Sequence, residues 1–352
     1  MENQFFKEEG MAMKISDDFF KILDLKKQKN KVKVNFLLEE ELEKGIVEGK
    51  RVKKIDVLAE RIKESLKKIE KKRIKNTILF SLPEEFVYLI KLKIPRVKVE
   101  ELKSAVCFAV QDHLPLPIQN LFFDFELLTD PKEKVNFFEI LFCGIEKEIL
   151  SEYSETLKKA KLFPIVFEPE SLSLSRCLIK DGFSSNPILI VEITENKTNF
   201  VVHFKNSVVD STTIPISSNL FTEILAKSLN VSKKEAEDLK KTYGLGEKLE
   251  IELKPEKPAI FSSLVGPLVD LAEQIKNFII YYQSHDSQAI KKILLAGKEA
   301  NLKGLKEFLK KELNLEVELG NPFVNLPSLE RDFPEEKFLE ISSLLGLAMR
   351  AI

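Results

Sequence analysis

The stretch "PILIVEITENKTNFVVHFKNSV" (residues 187–208) holds two apolar runs separated by a short polar turn. The runs at 188–193 and 198–204 have the length and β-branched content of buried strands, so the stretch predicts a hairpin. Glu192 lies near the end of the first strand, directly before the turn. Several phosphate-handling folds place a carboxylate that organises magnesium at this position. The hairpin is therefore a nucleotide site, a remnant of one, or an ordinary turn.

The order of elements around this hairpin occurs twice in the chain. In each half, three strand-like runs are followed by helical periodicity and then by a further strand. The first half has a helix at 54–70 and strands at 11–15, 19–25, 32–38, 77–80 and 86–92. The second half has strands at 188–193, 198–204, 208–214 and 290–297. The repeat predicts a duplicated α/β fold with two lobes.

The helices of the second half carry clear end signals. An apolar stripe predicts a helix at 219–229, and Ser232 and Glu235 then have the spacing of a capping box. The helix that they open is expected to stop by Gly244. Further helices are predicted at 264–285, 302–313 and 335–352, with a short strand at 315–319.

A piece of different character lies at residues 94–170. Its pattern reads helix, strand, strand, helix and strand, so a small α+β unit inserted into the first lobe is expected. Pro115 and Pro117 mark the break after its first helix, since proline cannot continue helical hydrogen bonding. Phe122 and Phe123 follow strand alternation, so only one of them needs to face the core. An exposed phenylalanine here would suit a docking surface, and a covering helix is the alternative.

Composition limits the classes of function. The chain has 55 Lys and Arg against 56 Asp and Glu, so no whole-molecule field gathers nucleic acid or anionic lipid. The basic runs at 26–34 and 67–75 are not expected to form a nucleic-acid patch. The first residues lack a signal-peptide pattern and no apolar segment approaches the length that crosses a bilayer, so a cytoplasmic location is expected. The three cysteines and three histidines lack ligand spacing, which predicts neither disulfides nor a metal site.

Several motifs, in the same order along the chain, resemble the type IV pilus assembly protein PilM family of the actin-like superfamily, which is related to FtsA. In "LPLPIQNLFFDFELL" (114–128), Pro115, Pro117 and Asp124 resemble the family's Ile-Pro-Phe-Pro and Asp-Tyr positions. "ESLSLSR" (170–176) resembles its Glu-Ser-x-x-x-x-Arg helix start. "AEDLK" (236–240) resembles its Ala-Glu-x-x-Lys, and "GLAMR" (346–350) its closing Gly-Leu-Ala-x-Arg. The resemblance covers about residues 11–352.

The resemblance implies two lobes with a nucleotide cleft between them. Lobe I is then expected at 11–186, with the insert at 94–170. Lobe II is expected at 187–352, with a C-terminal helix able to pack back on lobe I. The family also implies a cytoplasmic ring or scaffold at the inner membrane, which holds the cytoplasmic tail of the membrane protein PilN. A related secretion protein with a similar cytoplasmic part carries a membrane anchor, for which this sequence shows no segment.

The superfamily carries Asp-x-Gly at the first hairpin of each half. The carboxylate orders hydrated magnesium, and the glycine lets backbone N–H groups approach the phosphates. The resemblance places Lys14 and Ser16 at these positions in the first half. It places Glu192 and Thr194 there in the second half. Both glycines are thus replaced by residues with side chains, which is a steric objection to phosphate binding.

Acidic residues in both turns add an electrostatic objection. Asp17 and Asp18 follow Ser16, and Glu195 follows Thr194. A carboxylate about 4 Å from a phosphate oxygen would cost on the order of 1 to 4 kcal/mol per pair, depending on the local dielectric. Two or three such pairs would outweigh the contacts that remain.

The remaining nucleotide-binding positions of the family are also only partly kept. Ser217 and Ser218 replace the family's Gly-Gly before the helix that follows the meander, and the adenine-side Gly-Gly reads Gly297 and Lys298. Glu237 and Lys240, which the family directs towards the sugar and base, are kept. A capped amphipathic helix would carry Glu and Lys at this spacing in any case. Glu192 is therefore interpreted as a remnant; no cofactor is expected, and weakly bound ATP with magnesium is the alternative.

These observations favour a non-catalytic scaffold of a type IV pilus or related secretion machine, peripheral to the inner membrane through a partner. The expected partners are a PilN-like tail, other pilus assembly proteins and further copies in a ring, without nucleic acid or direct membrane insertion. Contacts with the tail are expected near Pro115, Pro117 and Phe122 of the insert. An actin-like ATPase or kinase is the alternative, and filament formation is a third hypothesis.

Overall fold

A computed structural model describes residues 9–49, 51–69, 74–130, 132–133, 135–246, 257–285, 288–330 and 333–352. The chain divides into two compact units. Unit 1 comprises Met1–Cys177, Phe323–Asp332 and Ser343–Ile352. Unit 2 comprises Leu178–Pro322 and Phe333–Ser342. The units therefore differ from the lobes expected at 11–186 and 187–352, because 178–186 lie in unit 2 and two later segments lie in unit 1.

The main sheet of unit 1 is built around the first hairpin of the chain. Its strands are β1 (Met11–Ile15), β2 (Phe19–Gln28), β3 (Lys31–Glu41), β6 (Thr77–Leu82) and β10 (Phe163–Pro169). They lie in the order β10–β6–β1–β2–β3. The meander pairs are antiparallel, whereas β1 with β6 and β6 with β10 are parallel. A two-stranded hairpin, β4 (Val47–Glu48) and β5 (Arg51–Val52), follows β3.

Two amphipathic helices, α1 (Ile55–Lys67) and α3 (Lys147–Lys159), share the core of unit 1 with the sheet. Leu58 and Ile62 of α1 are fully buried. Tyr153 of α3 is also fully buried, and its ring centroid lies 4.9 Å from that of Phe80 in β6. Burying side chains of this size stabilises the fold by roughly 1.5 to 3 kcal/mol each. The sequence predicts both helices from this apolar spacing.

The small inserted unit is bounded differently from the expected 94–170. It consists of β7 (Val87–Pro95), α2 (Val99–Val110), β8 (Leu121–Leu127) and β9 (Phe137–Glu146), with the strands in the order β7–β9–β8. Its core is formed by α2 and one face of this sheet. The α3 helix and β10, predicted within the insert, instead belong to the core and sheet of the main body. Sequence periodicity identifies a strand but not the sheet that it joins.

Unit 2 repeats the sheet of unit 1. Its strands are β11 (Ser184–Ile193), β12 (Thr198–Lys205), β13 (Ser207–Ile214), β14 (Lys292–Gly297) and β15 (Glu316–Leu319). They lie in the order β13–β12–β11–β14–β15. As in unit 1, the strand that opens the meander is central and pairs in parallel with a later strand. The duplication predicted from the sequence is therefore present in the topology.

Unit 2 has the predicted helices, although the one expected at 264–285 begins at Lys257 and the one expected at 302–313 begins at Leu305. They are α5 (Ser218–Leu229), α6 (Lys233–Tyr243), α7 (Lys257–His285) and α8 (Leu305–Leu313). The Ser232 side chain accepts a hydrogen bond from the Glu235 amide, and α6 ends at Gly244. The added Cβ of any other residue at Gly244 would meet the Lys303 carbonyl oxygen at 2.6 Å. None of the helices in the described ranges is both long and apolar enough to cross a membrane.

The single helix predicted at 335–352 is broken. The structure has α9 (Glu335–Glu340) and α10 (Ser342–Ala348), with a 3-10 turn at Met349–Ala351. Ile341 between them leaves helical geometry at φ −101° and ψ 23°. The Ser342 hydroxyl donates to the Phe338 and Leu339 carbonyls, a bond that competes with the helical backbone pattern. The break coincides with the change of unit, because Ser342 closes unit 2 and Ser343 returns to unit 1.

The segment 323–330 belongs to unit 1 because it lies along β3. Leu329 forms a parallel bridge with Val32. The Val32 amide donates to the Ser328 carbonyl at 3.1 Å, and the Glu330 amide donates to the Val32 carbonyl at 2.8 Å. No apolar periodicity accompanies this short pairing, so the sequence gives no sign of it.

Candidate functional site

The two turns predicted to face a phosphate are closed by the same pair of hydrogen bonds. In unit 1, the Ser16 amide and hydroxyl donate to the Phe19 carbonyl at 2.8 Å and 3.2 Å. In unit 2, the Thr194 amide and hydroxyl donate to the Lys197 carbonyl at 2.8 Å and 2.9 Å. The residues that stand at the glycine positions of the superfamily thus close their own hairpins.

Neither turn uses the left-handed backbone conformation that favours glycine. Residues 14–18 and 192–197 contain no positive φ angle. Side chains at Ser16 and Thr194 are therefore accommodated without backbone strain.

In unit 1, the predicted magnesium position carries a cation that is already paired. The Lys14 ammonium lies 2.6 Å from a carboxylate oxygen of Glu170, and both side chains are largely buried. Asp17 accepts a hydrogen bond of 2.9 Å from the Gly49 amide in the β4–β5 hairpin. Lys14 and Asp17 are thus both engaged within unit 1, and Asp18 remains exposed.

In unit 2, Glu192 is fully buried and takes part in a cross-strand row of polar side chains. Its Oε2 accepts a hydrogen bond of 2.8 Å from the Asn199 side-chain amide on β12. The Asn199 oxygen accepts in turn from the Thr213 hydroxyl on β13, at 3.1 Å. The three residues lie opposite one another in the register of the sheet. Glu192 therefore has a structural partner on the neighbouring strand.

The N-terminus of α5 has its backbone donors engaged by the protein. The Ser218 and Asn219 amides donate to the Thr194 and Glu195 carbonyls, each at 3.0 Å. The next amide, that of Leu220, donates to the Ser217 hydroxyl, which caps the helix. A helix N-terminus binds phosphate through free N–H groups. Here the hairpin turn and the capping serine take those groups.

A cluster of polar groups in unit 2 surrounds Lys240, whose side chain has no solvent exposure. Its ammonium lies 2.8 Å from Glu237 Oε2 and 2.7 Å from Glu299 Oε1. It also donates to the Thr222 hydroxyl at 2.8 Å and to the hydroxyl and carbonyl of Ser218 at 3.0 Å and 3.1 Å. Five acceptors thus surround one ammonium. The cluster links α5, α6 and the segment after β14.

The electrostatics of this cluster favour the ionised form of Glu237. Burial by itself would raise the pKa of Glu237. Hydrogen bonds from Lys240 and Thr222, with the nearby charge of Lys298, outweigh burial and lower the pKa to about 2. Glu299 is also buried, and it accepts a hydrogen bond of 2.5 Å from the Ser218 hydroxyl. The predicted sugar and base contacts, Glu237 and Lys240, are therefore satisfied within unit 2.

Gly297 ends β14 at a place where only glycine fits. Its φ is +86°, and an added Cβ would overlap the carbonyl oxygen of Ile193 at the end of β11. Lys298, the other residue at the predicted adenine side, has its ammonium 3.4 Å from Glu237 Oε1. The glycine is thus required by close approach of two strand ends, whether or not a nucleotide binds.

The predicted partner contacts lie on the outside of the insert. Pro115 and Pro117 are exposed in the segment between α2 and β8. Phe122 is 49% exposed on β8, whereas Phe123 turns inward and stacks on Phe142 with centroids 5.4 Å apart. The Lys147 ammonium, at the start of α3, lies 5.7 Å from the centroid of the Phe122 ring, so the ring is partly covered and partly open to solvent. The strand alternation predicted from the sequence is confirmed.

A second charged cluster, in unit 1, joins two of the motifs that carry the family resemblance. The guanidinium of Arg176 forms two hydrogen bonds with the buried carboxylate of Glu168, at 2.6 Å and 2.7 Å. Arg350 donates to the same carboxylate at 2.6 Å. Burial opposes ionisation of Glu168, but the two guanidiniums and the Ser173 hydroxyl hold its pKa below the ordinary value. The arginines of these two motifs therefore bind one acid.

Sequence reasoning misses Glu168, Glu299 and Asn199. Glu299 lies just past the end of β14, which is parallel to β11, and Glu192 lies near the end of β11. The carboxyl ends of neighbouring parallel strands meet at one sheet edge. An acid at the end of each of two predicted strands is therefore the sequence signal that could have identified Glu299. No group of three or more His, Cys, Asp or Glu in the described ranges is arranged to hold a metal.

Comparison with known proteins identifies the family. The family model described as "Type IV pilus assembly protein PilM" matches residues 12–352. No curated protein sequence matches the chain. Among solved structures, the chain is similar to one described as a "PilM-PilN type IV pilus biogenesis complex". That similarity has a TM-score of 0.79 and 21% identity, and it covers 98% of this chain and 99% of the other.

Two further structures share the fold at lower identity. Ethanolamine utilization protein EutJ from Carboxydothermus hydrogenoformans has a TM-score of 0.56 and 13% identity, over 97% of this chain and 89% of its own. MreB 5 of Spiroplasma citri bound to AMPPNP has a TM-score of 0.54 and 10% identity, over 97% and 95%. These likenesses establish an actin-like fold, as the duplicated sheets predict. Since the family model matches nearly the whole sequence, the chain belongs to the type IV pilus assembly protein PilM family.

Proposed function

We propose that the protein is a non-catalytic scaffold of a type IV pilus or related secretion machine. It would lie in the cytoplasm against the inner membrane and bind the cytoplasmic tail of a PilN-like membrane protein. Family membership supports the pilus role, and the related solved complex, described as PilM with PilN, supports the partner. Other pilus assembly proteins and further copies of the chain in a ring are the remaining partners of this proposal.

One observation carries the proposal that no nucleotide is turned over. The groups at the expected magnesium, phosphate and sugar positions are already bonded inside their own units. Lys14 is paired with Glu170, the α5 amides with the turn at Thr194, and Lys240 with two carboxylates. Nucleotide binding would have to break these bonds in low-dielectric surroundings, where each unsatisfied charge is expensive. The fold is then kept for its shape.

The experiment is a calorimetric titration of the purified protein with Mg-ATP, beside a titration with the partner's N-terminal tail peptide. We expect heat with the peptide and none with ATP up to millimolar concentration. Binding of the peptide shows that the preparation is competent, so the absence of an ATP signal is then informative. A micromolar Kd for ATP would contradict the proposal, and loss of that binding in Glu192→Gln would support the alternative, an actin-like ATPase or kinase.

We place the tail contact on the exposed side of the insert, around Pro115, Pro117 and Phe122. The β8 strand is at one edge of the three-stranded sheet of the insert, and Phe122 projects from it. An extended tail can add to such an edge through backbone hydrogen bonds, with the phenylalanine giving a side-chain contact. Phe122→Ala should weaken peptide binding about tenfold or more. Phe163→Ala, on β10, is the control, because Phe163 is 58% exposed and lies outside the insert.

A further inference from the structure

The β2–β3 hairpin projects beyond the sheet of unit 1. The β1 strand accompanies β2 only as far as Leu23, which lies opposite Ala12. From residue 24 to the turn, β2 pairs with β3 alone. On its other side, β3 is joined by the segment 328–330 through Val32. Residues 26–33 at the end of this hairpin are here termed the lysine hairpin.

The charge of the lysine hairpin is of one sign. Its sequence, "KKQKNKVK", contains five lysines, and no acid occurs from residue 25 to 38. Lys26 lies directly opposite Lys33 in the register of the two strands. Like charges at such positions destabilise a hairpin. The chain as a whole is nearly neutral, so this local excess is not a general property of the surface.

Few protein groups neutralise these lysines. Lys31 pairs with Glu330 at 3.1 Å, and both side chains are substantially exposed. Among the residues that the structure describes, no carboxylate lies within ion-pair distance of Lys26, Lys27, Lys29 or Lys33. An anion from outside the protein would remove the repulsion that the register creates.

Two recesses adjoin the lysine hairpin. One, of about 450 Å³, is lined by Gln28, Lys29, Lys31, Lys33 and Glu330. With three lysines and one acid, it suits a phosphate headgroup. The other, of about 390 Å³, contains Lys26 and Lys27 but also the carboxylates of Glu9 and Asp24, and it is not part of the proposed site.

The chemistry of the lysine hairpin suits a lipid surface better than a nucleic acid. It has no arginine, which binds a phosphate through two parallel hydrogen bonds, and no aromatic ring, which stacks on a base. Val32, its single apolar side chain, is buried, so nothing is presented for insertion into the bilayer. Clusters of four to eight lysines bind anionic membranes by adsorption, without insertion.

We propose that the lysine hairpin binds the anionic phospholipid surface of a membrane directly. The contact is electrostatic and peripheral, and it uses the recess at Lys29, Lys31 and Lys33 for a headgroup phosphate. It is independent of the partner tail, since no residue of the insert takes part. The hairpin would orient unit 1 against the bilayer.

The test is co-sedimentation of the full chain, without any partner, with vesicles of phosphatidylglycerol and phosphatidylcholine or of phosphatidylcholine alone. The test variant is Lys27→Gln/Lys29→Gln/Lys31→Gln. The matched control is Lys306→Gln/Lys310→Gln/Lys311→Gln on α8, three exposed lysines with the same change of net charge. All six side chains are on the surface, so both variants should keep the melting temperature of the parent within a few degrees.

We expect binding to the anionic vesicles only, which weakens steeply as salt rises. The hairpin variant should bind at least about tenfold more weakly, and the α8 variant within about twofold of the parent. Equal losses in the two variants, equal binding to both vesicle types, or no binding at low salt would each overturn the proposal. Binding to single-stranded DNA without binding to vesicles would also overturn it, in favour of a nucleic-acid surface. Tail-peptide binding is measured separately, so either result leaves the proposed function to its own test.

Discussion

Ser16 and Thr194 make the same two hydrogen bonds in the two halves of the chain, each donating its amide and its hydroxyl to the carbonyl three residues ahead. In an actin-like nucleotide site these positions hold glycine, which leaves room for a phosphate. Here a hydroxyl helps to close the turn. Each half of the chain therefore closes its first hairpin with the amide and the hydroxyl of a single residue.

The first prediction concerns the closing hydroxyl. Thr194→Val should destabilise unit 2 by about 1 kcal/mol, because it removes one buried hydrogen bond and leaves the Lys197 carbonyl with the amide alone. Denaturant unfolding measures the change. Thr242→Val is the control, since Thr242 is exposed on α6 and its hydroxyl has no bond among the described residues. Equal costs in the two variants would show that the turn hydroxyl contributes nothing specific.

The second prediction concerns the buried ammonium. Lys240→Met should cost about 3 to 5 kcal/mol, because the partly buried Glu237 and the buried Glu299 then lose the cation that both contact. Adding Glu299→Gln should recover part of this loss, which a double-mutant cycle measures. Lys241→Met is the control; its side chain is 65% exposed and its Glu237 contact is a surface pair. A loss of stability under 1 kcal/mol for Lys240→Met would show that the cluster does not depend on the Lys240 cation.

The third prediction compares two glycines in helices. Gly346→Ala should destabilise unit 1 by several kcal/mol, since the new Cβ would overlap the Ser173 carbonyl oxygen and force α10 away from α4 (Glu170–Leu178). Gly266→Ala in α7 should instead stabilise the protein by about 0.5 to 1 kcal/mol, because nothing lies within 4 Å of its added Cβ. Thermal unfolding of both variants measures these changes in stability. A change of the same sign in both variants would show that the contact between Gly346 and Ser173 does not require glycine.

The fourth prediction concerns pH. Burial raises the pKa of Asp210 on β13 from 3.8 to about 6, against the opposing effects of the Ser211 amide and the charge of His285. The folded state thus holds this proton more firmly than the unfolded state. Its stabilising effect is complete below pH 3.8 and is lost as pH rises through about 6.

Asp210→Asn should therefore be more stable than the parent at pH 7, by about 1 to 3 kcal/mol, and closely similar to it below pH 4. Urea unfolding at pH 4, 5.5 and 7 gives the profile. Asp56→Asn, at an exposed side chain on α1, should show no such divergence. A constant difference for Asp210→Asn across the three pH values would mean that burial does not control this carboxyl.

Much of the fold follows from local sequence signals. The meander strands, the α6 cap at Ser232 and the stop at Gly244 occur where spacing and residue type predict them. These features depend on residues close together in the chain.

What the sequence could not give is pairing between distant segments. The strand β10 looks like part of the insert because it follows α3 directly, yet it pairs with β6 in the main sheet. Glu237 and Lys240 have the same spacing whether they face a nucleotide or a second acid. Only the position of Glu299, some sixty residues later, distinguishes the two cases. Charge networks of this kind are set by tertiary contacts.

The contact between Arg350 and Glu168 has a consequence for how the protein is made. It joins residues 182 positions apart, and the whole of unit 2 is synthesised between them. As the chain leaves the ribosome, unit 2 therefore completes its sequence before unit 1 does, although unit 1 starts first. Until residues 343–352 emerge, Glu168 has only one of its two arginines and the backbone of α4 lacks the helix that packs on it. The earlier half of the chain is the later one to finish folding.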